Sequence, residues 1–210
     1  MKSQPKKHFY TLVEIMTVIV IAAILFSIGI PAFTTMIQGS NMTVSIRQLS
    51  AKLQAARAYA VTNRCNVAVL LMETGAREDY CYSAYRVCVV DGSNSFQGWI
   101  EDENWKTLPK GVLRESVSAT ETISNIPASG GPDLIGGSFT SAPAVVFQKN
   151  GQMKNATSTI KLRQGRYVNS TQIWTERTGD GKIISHPIEI NKYSGKITVK
   201  AITEDSISGS

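Results

Sequence analysis

From Thr11 to Phe33 almost every side chain is apolar, small or hydroxyl-bearing, and Glu14 is the one ionisable group among them. Such a run predicts a helix able to cross a bilayer core, which takes about 20 residues. Pro31 lies inside it, just after Gly29. Proline removes a backbone donor and crowds the preceding turn, so a bend or local opening is expected there. Beyond Pro31 the pattern becomes amphipathic. Ile46, Leu49, Leu53, Ala56 and Ala60 recur every three or four positions, while Arg47, Gln48, Gln54 and Arg57 fall off that stripe. The spacing predicts a single long helix continuing to about Asn63, its second half lying on a globular domain.

From Cys65 the period changes. Cys65 to Met72 and Tyr85 to Val90 are β-rich runs bounded by turn signals at 73–77 and at Asp91-Gly92. Further short strands are expected at Gly98–Ile100, Trp105–Leu108, Val112–Val117 and Ala144–Gln148. Four more follow at Ile160–Arg163, Gln172–Thr175, Ile188–Ile190 and Lys196–Ala201. Ser124 to Pro143, rich in Gly, Ser and Pro, predicts a long surface loop. Ser206 to Ser210 reads as a frayed tail. The pattern divides the chain into a basic leader at 1–9, an apolar helix at 10–33, its amphipathic continuation at 34–63, and a β domain at 64–210.

At 210 residues there is room for the helix and one domain of ordinary size. The net charge of +6 suggests an anionic partner, but Lys2, Lys6 and Lys7 supply half of it. Basic residues beside a membrane run hold that end in the cytoplasm, which puts everything after Phe33 outside it. Cys65, Cys81 and Cys88 then sit where disulfides persist, and three thiols allow one intramolecular bond. Cys81–Cys88 is favoured because the six residues between them can turn back as a hairpin; Cys65 remains an alternative partner.

No catalytic constellation is present. His8 and His186 lack a nucleophile partner, and there is no phosphate-cradling loop or metal-ligand spacing. The sequence therefore implies no enzyme activity, no cofactor and no metal. Asp91, Glu101, Asp102 and Glu103 form an acidic group that reads as a solvated face.

What remains to explain is Glu14. A carboxylate inside a membrane run costs roughly 2.5–3.5 kcal/mol and marks a functional position with a partner to be named. If the chain were cut before Tyr10, the new amine of one subunit could neutralise the Glu14 of its neighbour. The stretch Tyr10-Thr11-Leu12-Val13-Glu14, with Pro31 seventeen residues further on, resembles the N-terminal signal of type IV pilins and type II secretion pseudopilins. The resemblance implies cleavage by a prepilin peptidase between Phe9 and Tyr10 and methylation of Tyr10. It also implies filament assembly through Thr11, Leu12, Val13, Glu14 and Pro31. Phe9 stands where that pattern has Gly, and Tyr10 where it has Phe.

The helix running straight into the Cys65 strand, the Val145–Gly151 segment and the closing Tyr193–Val199 segment resemble the minor pseudopilin H and FimT-like minor pilin family. The expectation is an α+β, pilin-like fold with a long N-terminal helix packed on an antiparallel β-sheet domain. The expected role is a non-catalytic filament subunit, single-pass in the cytoplasmic membrane with its β domain outside, whose partners are other pilins or pseudopilins and the prepilin peptidase. Two alternatives stand beside it. Lys196 and Lys200 alternate with apolar residues, and Lys161 and Arg163 are read likewise. A basic face there would bind DNA phosphates without regard to sequence. The other alternative is a membrane-anchored β domain with no filament role.

Overall fold

The computed structural model describes residues 11–205 apart from 116, 118, 119, 155, 176 and 177, and describes the backbone alone over 28–39 and at 205. The leader, Phe9, Tyr10 and the tail from 206 lie outside the described residues. The chain forms two compact units, Met1–Ser40 and Asn41–Ser210.

One helix, α1 (Leu12–Thr62), runs through both. Its first turn is capped by Thr11, whose Oγ1 accepts the Glu14 backbone N–H at 3.2 Å. Thr-x-x-Glu is the sequence of a capping box, in which hydroxyl and carboxylate satisfy donors at a helix start. Thr17 and Ser27 turn their hydroxyls onto the helix's own carbonyls, Val13 O at 2.9 Å and Ile24 O at 2.7 Å. The helical assignment passes through Pro31 without a break. Among the described residues no helix is long and apolar enough to cross a membrane. The apolar side chains that are described end near Ser27, short of the roughly twenty that a bilayer core takes.

The second unit begins with the amphipathic part of α1. Met42, Leu49, Leu53, Ala56 and Ala60 are buried and Ile46 packs beside them, which is the expected stripe. The helix closes with Arg64 in a left-handed conformation (φ 51°) and the Cys65 N–H reaching back to Ala60 O at 3.2 Å. This 6→1 bond satisfies a terminal carbonyl and turns the chain sharply into the first strand.

The expected antiparallel β domain follows, built as two sheets. In the first, β1 (Asn66–Leu71) is central, between β2 (Ala84–Val90) and β7 (Ala142–Phe147). Beside β2 lie β3 (Phe96–Trp99) and β4 (Lys106–Thr107), and β6 (Glu121–Ile123) borders β7. The second sheet has the order β11-β10-β8-β5, from β11 (Ile197–Val199), β10 (Ile183–Ile190), β8 (Ser158–Val168) and β5 (Val112–Arg114). To these are added β9 (Thr171–Trp174) on β8 and β12 (Thr203–Asp205) on β10.

The main core gathers the α1 stripe with Val67, Val69, Leu71, Val87, Val145 and Phe147 of the first sheet and Ile160, Leu162, Ile188 and Ile190 of the second. Ala68, Leu70, Cys88, Ala144 and Val146 point the other way into a second core. The first sheet is thus buried on both faces, which is why β1 reads as an unbroken apolar run rather than an alternation.

That second core is closed by the segment expected to be a surface loop. Ile126 and Ile135 are buried, and the segment carries a short 3₁₀ turn at Pro132–Ile135. Arg86 pins it by donating to Gly130 O and Glu103 O (3.0 Å), with its guanidinium 3.7 Å from the centre of the Trp99 ring. Trp105 Nε1 donates to Gly131 O at 2.9 Å. Phe96, Trp99, Trp105 and Phe139 meet edge to face in a chain over the sheet. The glycines supply close backbone approach, since a Cβ at Gly131 would stand 2.7 Å from Pro127 O. A stretch of low side-chain content serves here as the lid of a core.

Candidate assembly site

Leu12 (76% exposed), Val13, Ile15, Met16, Val18, Ile19, Val20, Ile21, Ile24, Leu25 and Phe26 stand out from every side of α1. A helix apolar all round belongs in lipid or in a bundle, because no single packed face could cover it. Glu14 is the one carboxylate on this surface and is exposed in the first turn, where the N-terminal end of the helix dipole favours negative charge. Thr11 and Glu14 are brought together by the cap; Leu12 and Val13 are directed outward. Phe9 and Tyr10 are outside the described residues, and at Pro31 the structure describes backbone only.

The cysteines correct the disulfide expectation. All three thiols are free. No hairpin separates Cys81 from Cys88, because Ala84–Val90 is one extended strand that carries Cys88 away. Cys88 sits mid-strand with Ala68 and Trp99 as neighbours, inside the second core, and burial pushes its pKa up to about 12. Cys81 points its Sγ at Ala76 O, 3.4 Å away, and its thiol is also pushed up, chiefly by burial.

Of the four residues of the expected basic face, Arg163 is withdrawn into the fold, while Lys161 and Lys200 lie on either side of Pro187. Arg163 is only 5% exposed; its Nη2 lies 2.9 Å from Glu115 Oε2 and its guanidinium 5.3 Å from the centre of the Trp174 ring. The β8–β9 hairpin covers the face that alternation alone assigned to solvent. Lys161 is half-buried. Lys200 is exposed, and its charge is met by Glu189 at 3.3 Å. Lys196 is exposed in the turn before β11, and Val199 is exposed where a buried position was expected.

Two buried cations escaped the sequence reading. Arg86 is described above. Arg114 donates to Leu71 O (3.2 Å), Met72 O (3.0 Å), Glu115 O (3.0 Å) and Glu73 Oε1 (3.3 Å), tying β5 of one sheet to β1 of the other. Burial lowers the pKa of both. Their only sequence signal is a charge set within an apolar run, as in Tyr85-Arg86-Val87.

An open groove of about 650 Å³ lies between the outer side of α1 and the β4 edge, with Ala51 and Ala55 as its floor and Tyr85 and Trp105 as its wall. Lys52 beside it pairs with Glu103 at 2.5 Å. Among the described residues no three His, Cys, Asp or Glu side chains converge in a way that could hold a metal ion.

A long helix laid on antiparallel sheets makes this an α+β, pilin-like fold. The family described as type II transport protein GspH matches residues 45–179, and the chain belongs to that family. It matches no curated protein. Among solved structures it is similar to the type IV minor pilin FimU of Pseudomonas aeruginosa strain PAO1. That likeness has 15% identity over 76% of this chain and 87% of the other, with a TM-score of 0.45. The minor pseudopilin EpsH of the Vibrio cholerae type 2 secretion system is similar at 12% identity, over 76% and 95%, with a TM-score of 0.44. A second EpsH structure matches at 12%, over 80% and 98%, with a TM-score of 0.42.

Proposed function

We propose that this chain is a non-catalytic minor pseudopilin, held in the cytoplasmic membrane by the first half of α1 until it enters a helical filament of a type II secretion system. The observation that carries this reading is the exposed, all-round apolar surface from Leu12 to Phe26 with Glu14 at its start. In the sequence that apolar surface continues to Phe33, which brings it to the length of a bilayer core. Lys2, Lys6 and Lys7 keep the start of the chain cytoplasmic, so the sheets stand outside. A prepilin peptidase cleaves between Phe9 and Tyr10, and the freed amine of one subunit meets the Glu14 of its neighbour.

Glu14 also holds the third position of the Thr11 cap, where its backbone N–H bonds Thr11 Oγ1 and where glutamine serves as well as glutamate. The two roles separate in one variant. Glu14→Gln keeps the cap and removes the charge. It is expected to insert into membranes with unchanged helicity and to be absent from sheared filaments, as judged by immunoblot of the filament fraction. Normal incorporation of Glu14→Gln would remove the basis for filament entry through charge pairing.

A further inference from the structure

A second cavity opens at the end of the Asn41–Ser210 unit where α1 enters it. It holds about 370 Å³, within the roughly 300–1,000 Å³ of small-molecule sites. Three segments wall it: the turn at 77–83, the link from β4 to β5 at 107–113, and the far part of β8 at 165–167. They are pinned to one another. Ser83 O accepts the Leu108 N–H, Gly111 O the Gly165 N–H and Glu78 Oε1 the Asn169 N–H, each at 3.0 Å. Asn41 Nδ2 donates to Lys110 O at 3.1 Å, which ties the cavity to the start of this part of the helix. Tyr82, left-handed at φ 55°, sets its ring 5.3 Å from that of Tyr167. A bulky residue keeps that conformation only where its surroundings impose it, so the walls are held in place before any ligand arrives.

The lining carries both signs of charge. Arg77, Lys110 and Arg166 are exposed, and among the described residues none of them is in an ion pair. Arg77 is positioned all the same. Its stem lies over Gly136, where an added Cβ would stand 2.7 Å from it, and its guanidinium is 5.1 Å from the centre of the Tyr80 ring. Asp79 lines the same cavity and also has no ion-pair partner among the described residues, whereas Glu78 is taken up by the Asn169 N–H. Tyr80 and Tyr167 complete the lining, both half-buried. Arginine and lysine bind phosphate oxygens, while a carboxylate and tyrosine faces bind an ammonium. A ligand that satisfies both sets carries a phosphate and an ammonium on neighbouring groups.

We infer that this cavity takes the headgroup of phosphatidylethanolamine, with the phosphodiester on Arg77, Lys110 and Arg166 and the ammonium on Asp79. The choice of a lipid over a free phosphate ester rests on the membrane reading given above. Eight residues of chain lead from Phe33, the end of the apolar run, to Asn41, a reach of at most about 29 Å. While the chain is anchored, the end of the unit that holds the cavity stays within that reach of the bilayer. The bound headgroup then holds the domain against the membrane surface until the subunit leaves for a filament.

The test places the full chain in nanodiscs of phosphatidylcholine, alone or mixed with phosphatidylethanolamine or phosphatidylglycerol, and reads hydrogen exchange at 77–83 and 107–113. Exchange is expected to slow about tenfold with phosphatidylethanolamine and little with the other two. Phosphatidylglycerol has no ammonium, and the methylated ammonium of phosphatidylcholine cannot donate a hydrogen bond. Asp79→Asn and Arg166→Ala, both at exposed positions, should each remove the difference while leaving the circular dichroism spectrum unchanged. Equal exchange in all three discs would overturn the inference. So would slowing by phosphatidylglycerol, or by inorganic phosphate in detergent micelles, as strong as that by phosphatidylethanolamine. Soluble dihexanoyl-phosphatidylethanolamine, added to the full chain in micelles, separates this inference from the membrane reading. A chain that fails to enter the discs yet is protected by that lipid counts against the anchor alone; one that enters them and is not protected counts against the cavity alone.

Discussion

Cys88 shows how far one residue's surroundings set its chemistry. An exposed thiol ionises near 9, whereas this one holds its proton to about 12 because burial opposes the thiolate. The unfolded chain therefore gives up that proton first, and stability falls as pH rises from about 9 towards 12. Burial raises the pKa of Cys65, Cys81 and Tyr85 as well, so they act in the same direction. Cys88→Ala should flatten the alkaline loss, measured as urea midpoints from pH 8 to 11; an unchanged slope would mean that other groups carry it. Arg163 teaches the reverse lesson about reading charge. Period-two alternation put it on a solvent face with Lys161, but alternation knows nothing of what crosses above a strand. Here Trp174 and Glu115 cover it, and a cation that suggested phosphate binding is an internal ion pair.

At the scale of elements, the segment 124–141 carries the sharpest prediction. Gly131→Ala would place a methyl 2.7 Å from Pro127 O and 2.8 Å from the Trp99 ring, with backbone on one side and an aromatic wall on the other. A loss of about 1–3 kcal/mol is expected, typical of overpacking. A shift in tryptophan fluorescence should accompany it, since Trp99 and Trp105 both lie in this layer. What could be read in advance follows a physical line. The buried stripe of α1 and the β1 run were legible because hydrophobic periodicity reports burial directly. The capping pair Thr11 and Glu14 was legible as a motif, although its local use was overlooked. The lid was not legible, because glycine and proline signal turns and say nothing about what those turns cover. β10 was cut short at Pro187, a residue that usually argues against an interior strand. It is accommodated because the neighbouring strand breaks pairing opposite it. β6 was missed altogether, its three residues being too few to show a period.

For the molecule as a whole, Met42 is the first described residue of α1 that joins the core of the second unit. A fragment beginning at Asn41 is therefore expected to stay in solution without detergent and to unfold in a single cooperative transition by circular dichroism. Aggregation, or a broad non-cooperative melt, would mean that the free half of the helix contributes to the domain's stability. The same division explains why two kinds of sequence signal coexist in the chain. One half of the helix carries apolar side chains that stand exposed on every side. The other is selected for the sheets it lies on.

The position of β7 has a consequence for how such a chain is made. Its partner β1 is finished soon after the helix ends, yet β7 arrives only after β2 to β6 have been synthesised. Until then β1, buried at every position but its first, has one edge without its mate, and contacts so distant in sequence form slowly. During biogenesis that waiting edge is the place where a nascent copy is most prone to pair with the wrong neighbour, and where a chaperone would do most good.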